Sequence, residues 1–527
     1  MEPTKISERA KQRWTEKIQV HSGTGGSLCK MECDVKELQV VCVWLCLEMN
    51  YCFAGLIVEE GPSAWALRYI FYDGHGPGWV HVLVRRPLSE RTFPSISASV
   101  HAADWHEREA EDFFGLGFEG HPRLGDFVLH DDRWQENLEP MRRAFDGSKP
   151  VMHRKPDIDW RPRLIVETPG AFAMPIGPIF SGVTEPVHFL LETVGEDVIR
   201  MIPRLFYKYR AIEKSAEGRA VKDVLLLAER FSATTAFAHA LAFCRAVESI
   251  CGIEVPPRAQ RLRVLLAELE RLRHHAGAIQ EICESTALAV ANSQAAILEE
   301  ELLRLSGAFT GHRYLFGLAI PGGLSRTFHD AACNKAVQQA RDILKRLNRL
   351  EKMLRNSSSF LDRLEDVGIV TEPEAISYGL AGPVARASGV SRDMREIQPY
   401  SGYEALAFNV PCEHEGDGFA RLRVLFTEAR ESVKIMEQAS GALPSGPVSV
   451  PEVKIRPGSS LGWAEAPRGA AFHWLCIGGD GRVERYRPVT PSFANWHGFH
   501  LAAEEFAFQD FPIILATFDL SVAENDR

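Results

Sequence analysis

From Trp65 onward, apolar side chains fall on every second position. Trp65, Leu67, Tyr69 and Phe71 alternate with other residues, and Trp79 to Val84 forms a second run after the turn Asp73-Gly-His-Gly-Pro-Gly78. A period of two predicts strands. Further along the period lengthens. Val224 to Ile250, Ala259 to Glu284, Leu288 to Leu305 and Asn334 to Leu364 carry sustained helical spacing, with Gly and Pro punctuation between several of them. Trp463 to Pro491 reads as a strand-rich insert with a hairpin at Gly478-Gly-Asp-Gly481. The pattern predicts an α+β protein in four stretches. Residues 1–30 are polar and expected to be a flexible lead-in, and 31–148 form a small α+β domain. Residues 149–162 are a Pro-rich, charged linker, and 163–527 a mainly α-helical domain.

Val40 to Val58 is the one run worth testing as a membrane span. It carries Glu48, Asn50 and Gly55 and divides into Val40–Leu47 and Tyr51–Val58. A spanning helix needs roughly 20 apolar residues with few charges. The run is therefore expected to be a buried helix followed by a strand, with membrane attachment supplied by partners. No signal-peptide pattern is visible from Met1 to Val20.

A chain of 527 residues exceeds one ordinary core. With 45% hydrophobic and 25% charged residues it has the composition of a globular protein, and a formal charge of −10 argues against a nucleic-acid partner. The eleven cysteines follow no regular framework, which fits a reducing compartment. Cys29, Cys33, Cys42, Cys46 and Cys52 lack paired Cys-x-x-Cys spacing and read as small hydrophobes rather than metal ligands. The glycines of His21-Ser-Gly-Thr-Gly-Gly-Ser27 are not followed by Gly-Lys-Ser/Thr, so they read as a loop, not a phosphate cradle. Glu299-Glu300-Glu301 reads as a solvated helix face.

Specific stretches carry a resemblance. Ala103-Asp-Trp-His-Glu-Arg-Glu-Ala-Glu-Asp-Phe-Phe-Gly-Leu-Gly-Phe-Glu-Gly-His-Pro122 closely resembles the signature of the 30-kDa-type subunit of respiratory complex I; the signature's usual L-R-R continuation is here Leu124-Gly125-Asp126. Pro175-Ile-Gly-Pro-Ile-Phe180, Glu185-Pro-Val-His-Phe189, Gly252-Ile-Glu-Val-Pro-Pro-Arg-Ala-Gln260, Gly379 to Gly389 and Glu465-Ala-Pro-Arg-Gly469 are similar to two related families. These are the large subunits of formate-hydrogenlyase-type [NiFe] hydrogenases and the 49-kDa-type subunit of complex I, which share a fold. Together the resemblances cover residues 35–527 in the order of a fused large subunit.

The resemblance places the hydrogenase nickel ligands, two Cys-x-x-Cys pairs, on Ser232, Thr235, Ser521 and Glu524. None is a thiol, and a Ni–Fe centre needs soft thiolate donors, so nickel is not expected. The tail Asp519 to Arg527 is closer to the complex I pattern. Complex I uses the emptied cavity for a quinone headgroup, with a histidine and a tyrosine that fall on Phe180 and near Ala233. Phe180 offers only a face for stacking, although Tyr207, Tyr209, Ser232, Thr234 or Thr235 could supply hydroxyls. Ser232 and Thr235 either line a ligand pocket or cap a helix start. His239 keeps its motif position and is expected to be a satisfied buried histidine. Arg230 and Arg386 are expected near the buried site or in ion pairs with Glu229 or Glu185. Arg273, His274 and His275 are successive, so they point to different helix faces and do not read as a metal cluster.

The resemblance implies a subunit on the cytoplasmic side, peripheral to the inner face of the cell membrane. Its partners would be a small iron–sulfur subunit, which carries the cluster, and integral membrane subunits. It would hold no cofactor of its own and pass electrons to an acceptor such as a quinone. A non-catalytic scaffold is the second expectation, and an active [NiFe] hydrogenase is disfavoured by all four substitutions. An NAD site is not expected, because no dinucleotide fingerprint follows a strand.

Overall fold

The structure, a computed structural model, describes residues 3–14, 18–22, 28–135, 137–149, 151, 169–180, 185–441 and 443–527. Most of the expected 149–162 linker and the tip of the 21–27 loop lie outside them.

The N-terminal unit is built on a five-stranded sheet ordered Ile18–Ser22, Leu28–Cys33, Trp79–Pro87, Ala64–Asp73, Tyr51–Glu60. Leu28–Cys33 runs parallel to Trp79–Pro87, and the other pairs are antiparallel. Trp65, Leu67, Tyr69 and Phe71 are all buried on one face, as their alternation requires. The run Val40–Val58 becomes a helix, Leu38–Val43, continued by a π-helical turn, Trp44–Glu48, and then the strand Tyr51–Glu60.

The lead-in is not without structure. Pro3–Arg13 is a helix, and Ile18–Ser22 and Leu28–Cys33 join the sheet. The polar composition hides a stripe at helical spacing: Ile6, Ala10 and Trp14 are buried, and Trp14 meets Trp44 edge-on at 5.0 Å.

Beyond residue 169 a four-stranded sheet, ordered Phe506–Ala507, Asp197–Arg204, His188–Val194, Ala171–Ile176, precedes the helical body and uses the far end of the chain as an edge. The body is built from Val221–Arg230, Ala236–Cys251, Pro257–Ser285, Ala289–Thr310, Asp330–Arg355 and Gly418–Gly441. Pro257–Ser285 packs on both Ala289–Thr310 and Gly418–Gly441. Gly252 ends one helix in the left-handed region at φ 66°, and Pro257 begins the next. The insert is a three-stranded meander, Gly458–Ala466, Gly469–Ile477 and Val483–Val489, turning at 478–481 as expected.

One expectation fails in the place that matters most. Val224 to Ile250 is not one helix. It stops at Arg230, Ser232 is extended at φ −130° and ψ 100°, Ala233–Thr235 is a 3-10 turn, and a new helix starts at Ala236. The hydroxyl side chains at the break are drawn to partners elsewhere in the chain. Among the described residues no helix is long and apolar enough to cross a membrane.

Candidate functional site

The break at Phe231–Thr235 and the short helix Val522–Asn525 meet inside the protein. Glu524 is fully buried and its carboxylate gathers the cluster. Thr235 Oγ1 donates to Glu524 Oε1 at 2.8 Å, and Ser492 Oγ donates to Oε2 at 2.5 Å. Thr235 has a single hydroxyl proton, already directed at Glu524, so Ser232 Oγ donates to Thr235 Oγ1 at 2.7 Å. Ser232 Oγ also lies 3.4 Å from Glu524 Oε1. Thus three of the four residues that the resemblance sets on thiolate positions come into direct contact. Ser521 is adjacent but turned aside: its Oγ accepts from the Glu524 amide at 3.2 Å and caps the short helix.

Arg468 and His239 flank the carboxylate at 3.5 and 3.6 Å. Burial alone would push the Glu524 carboxyl up. The facing His239 ring, the Arg468 guanidinium and the Ser492 hydroxyl outweigh it and hold the carboxylate well below its usual range. Arg468 is itself fixed by Asp519, through Nε to the carbonyl at 2.6 Å and Nη2 to Oδ1 at 3.1 Å, and Nη1 reaches Thr234 Oγ1 at 3.1 Å. His274 Nε2 meets Asp519 Oδ2 at 2.6 Å; burial lowers its pKa to about 4, so the neutral ring donates. Arg273 donates to the Thr234 carbonyl and His275 meets Glu428 at 2.8 Å. The three neighbours 273–275 do point three ways.

Local chemistry explains how the break is held. No side chain of its own caps the helix Ala236–Cys251. Glu270, on Pro257–Ser285, does so from outside, accepting from the Phe237 amide at 2.8 Å and the Ala238 amide at 3.0 Å. At the tail, the Glu185 carboxylate accepts from the Val522 and Ala523 amides at 2.6 and 3.0 Å.

Other predicted residues stand apart. Ala233 is exposed, because the tight turn points Ser232 and Thr235 inward and leaves residue 233 outside. Arg230 is also on the outside, with 58% of its side chain exposed; it sits 3.7 Å from Glu229 and over the Phe316 ring. Arg386 is fully buried but pairs with Glu428 at 2.7 Å and Glu465 at 3.0 Å, not with Glu229 or Glu185. Phe180 is half-buried in the turn after Ala171–Ile176, packed on the apolar cluster that includes Val522 and Trp496. His239 is buried as expected, yet among the described residues its Nε2 has no hydrogen-bond partner.

Sequence reasoning missed Arg468, Asp519, His274 and Ser492 as cluster residues. Arg468 lies within the matched stretch Glu465–Gly469 and Asp519 within the matched tail, so both had a signal. Ser492 had none: only the fold brings it there. A separate cavity of about 650 Å³ opens between the two units, with Arg108 and Asp104 on one side and His188, Arg200 and Arg204 on the other.

Comparison with known proteins agrees with this architecture. Residues 31–151 match the family model for the respiratory-chain NADH dehydrogenase 30 Kd subunit, and residues 293–460 and 451–527 match that for the 49 Kd subunit. Formate hydrogenlyase subunit 5 of Escherichia coli is 31% identical over 85% of this chain and 79% of its own length. Hydrogenase-4 component G of the same organism is 29% identical over 86% and 79%. The C/D subunit of NADH-quinone oxidoreductase from Bdellovibrio bacteriovorus is 28% identical over 81% of each chain. The chain therefore belongs to the family of fused large subunits in which 30-kDa-type and 49-kDa-type complex I domains run in one polypeptide, shared by formate hydrogenlyase, hydrogenase-4 and the C/D subunits of NADH-quinone oxidoreductase.

Proposed function

We propose that the chain is the large subunit of a membrane-associated redox complex that works without a Ni–Fe centre. It receives electrons from an iron–sulfur cluster on a small partner subunit and passes them to an acceptor such as a quinone. Attachment to the inner face of the membrane comes from integral membrane partners. The relatives' roles in formate hydrogenlyase and NADH-quinone oxidoreductase support the setting.

The carboxylate cluster carries the argument about the metal. A Ni–Fe centre calls for soft thiolates, whereas these positions supply three hydroxyls and one hard carboxylate. Both Glu524 oxygens already accept from Thr235 and Ser492, and the Ser521 hydroxyl accepts from an amide. These residues do not fit a Ni–Fe centre. The test is metal analysis of the complex isolated from membranes, together with its reduction of soluble quinones by an artificial electron donor. Iron without nickel, with quinone turnover, is the expected outcome. Stoichiometric nickel bound to this chain overturns the proposal.

The same mutual satisfaction of Ser232, Thr235 and Glu524 favours a second reading, a scaffold that has kept the fold and lost the chemistry. Replacing Ser232 and Glu524 by bulky residues in the assembled complex separates the two. Loss of turnover in an intact complex supports the redox reading; a complex without turnover in either form supports the scaffold.

A further inference from the structure

Behind the carboxylate cluster runs a row of buried rings that the redox reading leaves unused. His239 Nδ1 lies 3.0 Å from His473 Nε2, and His473 Nδ1 lies 2.9 Å from the Tyr486 hydroxyl. All three residues have no solvent exposure. They come from different elements: His239 from the helix after the break, His473 and Tyr486 from neighbouring strands of the meander.

Counting protons gives the row a direction. A buried phenol has to donate, and among the described residues His473 Nδ1 is the hydrogen-bond partner of the Tyr486 hydroxyl. Burial pushes the Tyr486 pKa well up, so the phenol keeps its proton. It donates, and His473 Nδ1 is an acceptor. Burial holds His473 well below the usual histidine range, so this ring is neutral and carries one proton. That proton must be on Nε2, where it points at His239 Nδ1. His239 Nδ1 is then an acceptor too, and its own proton sits on Nε2. This last N–H is buried, has no hydrogen-bond partner among the described residues, and faces Glu524 Oε1 at 3.6 Å.

We propose that Tyr486 and His473 are positioning residues that lock His239 in its Nε2–H form, making that N–H the free donor offered to an oxygen acceptor, such as a quinone carbonyl, at the Glu524 cluster. The lock has a chemical consequence. A proton on Nδ1 of His239 would set two N–H groups against each other across the 3.0 Å contact, so the tautomer stays fixed unless the whole row reverses together. The identity of the acceptor rests on the redox reading; the lock itself does not.

Nitrogen NMR of the full-length chain labelled with 15N-histidine reads the tautomer directly. The His239 signals are identified by their loss in His239→Gln. In the wild type, His239 is expected to show a protonated Nε2 and a bare Nδ1. His473→Gln can still donate from its amide and should keep that pattern. His473→Leu removes the donor, and Tyr486→Phe frees His473 to switch, so both should shift His239 toward mixed tautomers. A proton on Nδ1 of His239 in the wild type at neutral pH overturns the proposal, as does an identical tautomer in the Gln and Leu variants. If His473→Leu does not fold, the wild-type and Tyr486→Phe spectra decide. The measurement needs no turnover, so an inactive complex leaves its result intact, and a wrong tautomer leaves the redox reading standing.

Discussion

Glu524 is a charge with no contact to water. It survives there because Arg468 lies at 3.5 Å and hydroxyls of Thr235 and Ser492 donate to it. Removing one partner of such a group is costly, since the groups left behind stay buried and unpaired. Glu524→Ala should therefore lower stability by about 3–5 kcal/mol, read from denaturant unfolding of the purified chain. Glu524→Gln keeps the shape but sets an amide donor against hydroxyl donors, and it should fall between the wild type and the alanine variant. Loss of the same small amount in both variants would mean the carboxylate is not the centre of the cluster. Arg468 is less exposed to such a change, because Asp519 holds it independently.

The helix Ala236–Cys251 shows how an element can depend on another for its start. Ser232 and Thr235 are good capping types, yet their hydroxyls face Glu524, and Glu270 provides the cap in their place. Its carboxylate also meets the positive end of the helix dipole. Glu270→Ala leaves the Phe237 and Ala238 amides buried without partners, a cost of about 1–3 kcal/mol for each. Hydrogen–deuterium exchange should show the segment 231–240 opening faster in this variant while Pro257–Ser285 stays protected. Glu270→Gln retains one acceptor oxygen and should lose about half as much. The helix end was plain in advance: Gly252 and the prolines at 256 and 257 mark it. Its beginning was not, because helical periodicity continues through 231–235 and only contacts with residues 270 and 524 interrupt it.

At the scale of the molecule the two units share their cores. One apolar cluster joins Ile57, Ile70 and Trp79 of the N-terminal sheet to the helical body, and Trp79 meets Trp463 at 4.9 Å. Across the same junction Arg487 and Arg527 pair with Glu109, on the N-terminal unit, and with Glu213. Burial raises Glu107, Asp112 and Glu270 to about 7. The folded form binds those protons more tightly than the unfolded chain, so their contribution is complete below the ordinary carboxyl range and is lost as pH rises to about 7. Glu428 and Glu524 are shifted the opposite way, because their cationic and hydrogen-bonding neighbours outweigh burial, and their contribution is lost in acid. Buried histidines held neutral, His274 and His473 among them, act in the opposite sense over part of this range, so the carboxyl contributions are read by difference: Glu107→Gln should lessen the loss of thermal stability between about pH 5 and 7, and Glu428→Gln should lessen the loss below about pH 4. A midpoint whose pH dependence is the same in the wild type and in both variants would contradict this assignment.

Periodicity alone determined the strands 64–87, the meander after 458 and most of the helical body, because burial of one face repeats at two or at 3.6 residues whatever the neighbours are. The motif stretches determined the family, and residue type alone put hydroxyls and a carboxylate where the resemblance expects thiolates. Tertiary structure decided the rest. It brought Ser492 and Arg468 to Glu524, left Ala233 and Arg230 outside, gave Arg386 to Glu428, and turned the polar lead-in into part of a sheet. Thr235 and Glu524 are 289 positions apart and touch. A hydrogen bond depends on distance in space, and no local pattern in the chain encodes a distance that long-range packing sets.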